Sequence, residues 1–181
     1  MFGLAGKWKR NRSDRLERLA RAIEAVGAHD QRLMDESTRV DQLKSDGAMA
    51  LYEICGQFVA RLNECLAEPA VMLAPFEWEP GNFEDSQTNF FQISLRGRLL
   101  QLEFRSTEET YSTEDFSRPY ILHGTARSFN QASLERNRMG EQRLFCCPAG
   151  ESVQWFFFDA RTYRTGHVNR DYLAAELERL L

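Results

Sequence analysis

Hydrophobic residues near the start of the chain recur at alternating spacings of three and four residues, the pattern of one face of a helix. The members of this stripe are Leu16, Leu19, Ile23, Val26, Leu33 and Val40. Asp30, Ser37 and Lys44 interrupt it, so only two heptads are uninterrupted. Gly27 is expected to end a first helix and Asp30 to begin a second. Two interpretations stay open: a coiled-coil or swapped dimer, or a helical arm packed on its own domain.

The following helix is the clearest element of the sequence. Its apolar residues recur every three or four positions and form one broad stripe, which comprises Leu51, Ile54, Cys55, Phe58, Val59, Leu62, Cys65 and Leu66. Ser45 or Asp46 is expected to cap its start, and Pro69 cannot continue the helix. We therefore predict a helix that covers a core, with its two cysteines acting as small hydrophobic residues.

From about Pro75 the hydrophobic period changes to two, which indicates β-strands. Apolar and polar residues alternate in 91–95 and again in 100–104, on either side of Gly97-Arg98. A two-residue turn at Gly97-Arg98 would pair Leu95 with Leu100, Ile93 with Leu102 and Phe91 with Phe104. Every apolar residue of this hairpin then lies on one face of the sheet.

Three further strands are expected, at 120–127, 144–147 and 153–158. Trp155 to Phe158 are apolar on both faces, which predicts a strand covered on both sides. Residues 106–119, rich in Ser, Thr and acids, are expected to form an exposed excursion, with Tyr111 and Phe116 as the residues that would suit a lid or a partner-binding tip.

The C-terminal part of the chain is predicted to end in a helix. Asn169 or Thr165 is expected to cap it, and its core face comprises Leu173, Leu177, Leu180 and Leu181. Residues 128–141 fit either a strand extension or a short helix.

The order of elements predicts an α+β fold, in which an antiparallel sheet of about five strands carries an N-terminal helical region and a C-terminal helix packed on one face. The expected division is a basic N-terminal arm and helical segment over 1–45 and an α+β domain over 46–181. Because strands and helices do not alternate, nucleotide-binding folds with phosphate at a strand-to-helix turn are disfavoured.

Charge is distributed unevenly along the chain. The net charge is -4, yet residues 1–21 hold seven basic groups against two acidic ones. An acidic body with a basic leading arm argues against a general nucleic-acid-binding protein, so no nucleic-acid partner is expected and only the arm remains a candidate contact. Residues 1–12 interleave Phe2, Leu4 and Trp8 with basic residues, so this segment suits either contact with an anionic membrane surface or a frayed terminus.

The four cysteines are Cys55, Cys65, Cys146 and Cys147. The apolar residues 1–6 come before the basic cluster, the reverse of the order in a secretory signal, so export is not expected. We expect them to be reduced and the protein to be cytoplasmic. Cys146 and Cys147 would point to opposite faces of a strand, and the three histidines lie far apart in the sequence, so neither a metal site nor a cofactor is expected.

The best candidates for chemistry lie on the polar face of the predicted sheet. His123, Glu103 and Arg105 are the catalytic candidates, and Gln92 and Arg127 would lie nearby. A histidine oriented by a carboxylate is the physical basis of a proton-transfer pair, although an ordinary solvated strand face has the same composition.

These observations favour a binding or scaffolding role through protein–protein association over catalysis. The partner would be another protein or a second copy of the chain, reached through the N-terminal helices. The alternative is a small-molecule-binding protein, or a modest enzyme using His123, Glu103 and Arg105, with a pocket between the sheet and the helices.

Overall fold

The computed structural model describes the backbone of residues 4–111, 116–130 and 140–181, and the side chains of residues 15–107, 116–130 and 140–181. The described elements follow one another in a simple order. They are α1 (Leu4–Cys65), β1 (Val71–Ala74), a 3-10 turn (Pro80–Asn82), β2 (Asn89–Leu95), β3 (Arg98–Tyr111), β4 (Tyr120–Asn130), β5 (Gly140–Ala149), β6 (Ser152–Asp159), β7 (Arg164–His167) and α2 (Arg170–Glu178). The fold is therefore α+β, as the sequence predicts.

The N-terminal helix is one continuous element of 62 residues, so the predicted break between Gly27 and Asp30 is wrong. A glycine inside a helix costs only about 1 kcal/mol, less than the loss of a turn of backbone hydrogen bonds. The predicted cap residue Asp46 also lies within the helix, where its carboxylate accepts a hydrogen bond from Gln42 at 2.8 Å. No helix in the described part of the chain is long and apolar enough to cross a membrane.

The chain divides into two compact units, residues 1–41 and residues 42–181. In the first unit, every side chain described from 15 to 39 is exposed. The second unit contains the core, which begins at Leu43 in the second half of α1 and includes all of the strands.

The seven described strands form one antiparallel sheet in sequential order, from β1 to β7. The prediction of about five strands is therefore wrong in number. The two strands that it missed, β1 and β7, contain only four residues each and pair with one neighbour. A four-residue edge strand leaves too few residues for an alternating pattern to be recognised.

The hairpin between β2 and β3 differs from the predicted register by two residues. Leu95 pairs with Arg98, Ile93 with Leu100 and Phe91 with Leu102. The two turn residues are Arg96 and Gly97, both with positive φ (46° and 79°), as a type I′ turn requires. Because the shift is an even number of residues, the apolar side chains stay on the predicted face.

Both helices contact the same face of β6. Trp155 donates a hydrogen bond from Nε1 to the carbonyl oxygen of Gly47 in α1 at 2.7 Å, and Phe157 stacks on Tyr172 of α2 with ring centroids 4.6 Å apart. Alternate residues of a strand share a face, so the helix-covered layer lies on this side of the sheet. Its fully buried residues include Phe91, Ile93, Leu100, Leu102, Phe104, Leu122, Leu144 and Cys146.

The opposite face of the sheet carries a second buried cluster, composed of Phe116, Tyr120, Phe145, Cys147, Phe156 and Phe158. Phe116 stacks on Phe145 at a centroid distance of 4.2 Å and is only 4% exposed. The expectation of an exposed excursion over 106–119 is therefore wrong at its start, where β3 continues through Tyr111, and at Phe116, which is buried, whereas residues 117–119 are exposed as expected. Residues 112–115 lie outside the described residues, as does the side chain of Tyr111.

Burial of Trp155 to Phe158 confirms that β6 is covered on both sides, with only Phe157 half-buried. Cys146 and Cys147 lie on opposite faces, as predicted. Asn169 caps α2, where its Oδ1 accepts a hydrogen bond from the Tyr172 amide at 2.9 Å. The predicted core face of α2 is buried except for Leu181, which is 76% exposed. Of the undecided segment 128–141, both ends are strand and residues 131–139 lie outside the described residues.

Candidate functional site

The polar candidates of the sequence meet in a cleft on the face of the sheet opposite the helices. Strand pairing places Arg105 directly beside His123 and Glu103 beside Thr125, so these side chains share one face. The cleft has a volume of about 350 Å³. Arg127, Arg143 and Phe145 complete its main lining. Gln92, also expected nearby, is not among the lining residues.

His123 receives a hydrogen bond from a guanidinium group rather than from an acid. Arg105 Nε lies 3.1 Å from His123 Nε2, which must be unprotonated to accept this bond. Burial, together with the charge of Arg105, lowers the pKa of His123 below its ordinary value. The imidazole is therefore held neutral, with its proton on Nδ1.

Glu103 is engaged by Arg127. The guanidinium of Arg127 donates from Nη1 to Glu103 Oε2 at 3.2 Å and from Nε to Glu141 Oε2 at 3.1 Å. This arginine thus bridges two carboxylates from β3 and β5, each about one-third to one-half exposed. A carboxylate committed to Arg127 is not the orienting partner of His123 that the sequence suggested.

The cleft suits the binding of a small anion better than proton transfer. Three arginines and one glutamate line it, and the neutral imidazole offers an N–H donor. General acid–base catalysis requires a histidine that changes its protonation near neutral pH beside a partner that stabilises the charged form. The structure brings His123, Glu103 and Arg105 into one cleft but pairs both Glu103 and His123 with arginine.

Sequence reasoning missed a charged group in the core-facing part of α1. Lys44 is 6% exposed and its Nζ lies 3.1 Å from Asp85 Oδ1. Ser106 donates a short hydrogen bond to the same oxygen. The Ser106 hydroxyl and Lys44 together hold the pKa of Asp85 below its usual value. The sequence signal for this ion pair was Lys44, a charged residue at a position of the apolar stripe that faces the core.

An apolar groove of about 550 Å³ lies between the two helices and the β1–β2 edge of the sheet. Phe58 and Leu62 from α1 and Leu177 from α2 form its apolar walls, and its charged lining residues are Arg96, Arg98 and Glu178. This groove, rather than the polar cleft, corresponds to the predicted pocket between sheet and helices. His123, Glu103 and Arg105 do not line it.

The largest set of exposed apolar side chains lies on residues 16–34 of α1. Between 51% and 67% of the surface of each is exposed, and the set comprises Leu16, Leu19, Ile23, Val26, Leu33 and Met34. Large exposed apolar patches are uncommon on the surfaces of monomeric proteins. The side chains of residues 1–14, including those expected at a membrane surface, lie outside the described residues.

Comparison with known proteins gives one partial similarity. An alignment of 84 residues is 36% identical to an intracellular exo-α-(1→5)-L-arabinofuranosidase of Streptomyces lividans and covers 42% of this chain. The chain spans about 13% of the length of that enzyme. No protein-family model matches the chain, and no solved structure gives a significant match.

Proposed function

We propose that this protein is an association module that forms a homodimer through residues 15–40 of α1. The observation that supports the proposal is the exposed apolar stripe, which continues at heptad spacing from Leu16 to Val26. Leu19 and Ile23 are 55% and 63% exposed, whereas residues at comparable positions in the second half of the same helix are buried. A second copy of the helix would remove this apolar surface from water.

In this proposal, dimerisation through α1 joins two copies of the folded α+β unit. We place the protein in the cytoplasm because Cys55, Cys146 and Cys147 are free and buried. Burial raises the pKa of the Cys147 thiol to about 11, so this thiol is unreactive at neutral pH. The match to the arabinofuranosidase covers too little of that enzyme to carry its activity over to this chain.

Dimerisation is tested by native mass spectrometry together with light scattering over a range of concentrations. The wild-type chain should give twice the mass of 21.0 kDa. The variant Leu19→Glu/Ile23→Glu should be monomeric, because two carboxylates per helix would have to be buried in the interface. A wild-type protein that stays monomeric at high micromolar concentration overturns the proposal.

A matched control uses the other side of the same helix. At about 100° per residue, Ala25 and Ala28 lie on the side of the helix that faces away from the centre of the apolar stripe, and both are exposed. The variant Ala25→Glu/Ala28→Glu adds the same two charges to the same stretch and should remain dimeric. Loss of the dimer in this control would show that the added charge, rather than the apolar stripe, determines association.

A second candidate function is supported by the apolar groove. Its apolar walls would hold an alkyl chain, and Arg96 and Arg98 would bind a carboxylate group, so the groove suits a long-chain carboxylic acid. Dodecanoate should raise the melting temperature of the wild type, and Ala174→Trp should abolish that rise by filling the groove. Ala175→Trp, on an exposed neighbouring position outside the groove, is the control. Equal stabilisation of both variants would exclude the groove as the binding site.

A further inference from the structure

We propose that two copies of residues 15–36 pack antiparallel, with Ile23 of one copy opposite Val26 of the other. This inference rests on the proposed homodimer and adds its orientation and register. It follows from the heptad positions of α1, labelled so that Leu16, Ile23, Asp30 and Ser37 occupy a and Leu19, Val26, Leu33 and Val40 occupy d. In the proposed register, Leu16 lies opposite Leu33 and Leu19 opposite Asp30.

Asp30 is the first feature that selects the orientation. In a parallel pair, the two copies of an a residue face each other, so two Asp30 carboxylates would meet within the apolar seam. In the antiparallel pair, Asp30 lies opposite Leu19 of the other copy. Arg15, which is exposed and occupies the g position one turn before Leu19, flanks this contact. The two Asp30 carboxylates are therefore kept apart, each beside a basic group, instead of facing each other.

The charges that flank the seam favour the same orientation. Arg15 and Glu36 both occupy g positions, and g positions of antiparallel helices lie beside each other. The proposed register places Arg15 of each copy next to Glu36 of the other, which gives two pairs of opposite charge in each dimer. In a parallel pair, Glu36 would instead lie beside Asp41 at the next e position, and Arg15 beside Ala20.

The charge of the whole segment changes sign along the helix. Residues 1–21 carry seven basic groups against two acidic ones, and residues 30–41 carry four acidic groups against two basic ones. Antiparallel packing aligns the basic part of each copy with the acidic part of the other, whereas parallel packing aligns like with like. Alignment of opposite charges is the arrangement that stabilises pairing and fixes its orientation.

Small residues flank the centre of the proposed interface. Ala20 and Gly27 occupy e positions and Ala22 occupies g, close to the twofold axis, on either side of which Ile23 of one copy packs against Val26 of the other. Nothing lies within 4 Å of a side chain added at Gly27. The distance between two packed helices depends on the side chains at their contact, so these positions allow close approach where the apolar residues meet.

Disulfide trapping tests the orientation directly. Cys65 is the exposed cysteine among the four, so Cys65→Ser provides the background for two variants, Leu16→Cys and Leu33→Cys, each of which has one exposed cysteine besides the three buried ones. A mixture of the two variants should form a disulfide between copies, while Leu16→Cys alone should not. In the antiparallel register, the two copies of residue 16 lie 17 residues apart along the axis, or about 25 Å.

The outcomes separate the inference from the proposed function. A disulfide dimer of Leu16→Cys alone shows a parallel pair and overturns the orientation while leaving the homodimer intact. A dimeric mass under reducing conditions, with no disulfide in the mixture, overturns the register. A monomeric wild type overturns both the homodimer and its orientation.

A charge exchange tests the same register with an intact apolar seam. Arg15→Glu and Glu36→Arg should each weaken the homodimer about tenfold, because each converts two attractive pairs into two repulsive ones. The double variant should return the dissociation constant to within about twofold of wild type. A parallel pair predicts the opposite for Glu36→Arg, which would then tighten the dimer by removing repulsion with Asp41. That result would overturn the antiparallel arrangement.

Discussion

The two halves of α1 have the same hydrophobic spacing and different surroundings. In the second half, Leu51 and Cys55 are completely buried against the sheet, and Phe58 is 7% exposed. In the first half, Leu16 and Ile23 occupy equivalent positions on a helix face and are 62% and 63% exposed. Hydrophobic periodicity thus identifies the face of a helix that avoids water, but it does not identify what covers that face.

The largest expected effect is on the free energy of unfolding, when one apolar side chain is truncated in the core and one in the first half of α1. Phe91→Ala should lower the free energy of unfolding by about 3–5 kcal/mol, because Phe91 is fully buried and contacts the rings of Tyr52, Trp78 and Phe104. Leu19→Ala should change it by less than about 0.5 kcal/mol in the dilute monomer. Urea unfolding followed by tryptophan fluorescence measures both.

Concentration dependence sharpens this first prediction. At concentrations that favour the homodimer, Leu19→Ala should unfold at a lower urea concentration than the wild type, since the midpoint of unfolding then includes the free energy of association. The midpoint for Phe91→Ala should shift equally at low and high concentration. If Leu19→Ala costs several kcal/mol in the dilute protein, Leu19 is buried within the monomer, and the comparison of the two halves fails.

A smaller effect, of opposite sign in the two halves, is expected from two glycines of α1. A methyl group added at Gly47 would lie 2.7 Å from Cys146 Sγ and 3.0 Å from Leu122 Cδ1, so Gly47→Ala should lower stability by about 1–3 kcal/mol. A methyl group at Gly27 meets nothing within 4 Å in the single chain, so Gly27→Ala should stabilise the helix of the dilute monomer by up to about 1 kcal/mol. Thermal and urea unfolding measure both changes.

The opposite signs in this pair are the decisive feature. Stabilisation by both substitutions would show that α1 does not pack closely on the sheet near Cys146. Destabilisation by both would indicate that Gly27 is also in contact with other residues. Gly47 also carries the carbonyl group that accepts the Trp155 hydrogen bond, so displacement of α1 should change the fluorescence of that tryptophan in the first variant only.

The elements of the fold that could be predicted are those whose pattern extends over several turns or pleats. The apolar stripe from Leu51 to Leu66 and the alternation on either side of the Arg96-Gly97 turn gave the helix and the hairpin. The turn itself was misplaced by one residue because Arg96 adopts a positive φ, which sequence preference assigns to glycine. The four-residue strands β1 and β7 carry too short a pattern to be detected.

The candidate site was predictable in its membership but not in its contacts. Alternate residues of a strand share a face, so Glu103 and Arg105 of β3 lie on the same face. His123 of β4 joins them in the observed register and in any register shifted from it by an even number of residues. Which charged group pairs with which depends on positions within a few ångströms. Glu103 bonds to Arg127, which also bonds to Glu141. Glu141 belongs to the segment 128–141, whose secondary structure could not be predicted from the sequence.

The smallest expected effect is a pH dependence at His123, on the sheet face that the helices do not cover. Its pKa is lowered in the folded protein by burial and by Arg105, so the unfolded chain binds the proton more readily. The contribution of His123 to stability is therefore fully present above its unfolded pKa of about 6.5 and is lost as the pH falls toward the lower folded value. Arg105→Met should raise the pKa of His123 toward the ordinary value.

Two measurements check this last prediction. An NMR titration gives the pKa of His123 directly, and unfolding at pH 7.5 and 5.5 gives the pH dependence of stability for wild type and His123→Gln. The contributions of His29 and His167 cancel in that comparison, because both proteins contain them. A pKa above 6.5 would mean that a carboxylate, rather than Arg105, controls the imidazole in solution. Glu103 is the acid in the same cleft, so that result would restore the proton-transfer pair suggested by the sequence and shift the balance toward catalysis.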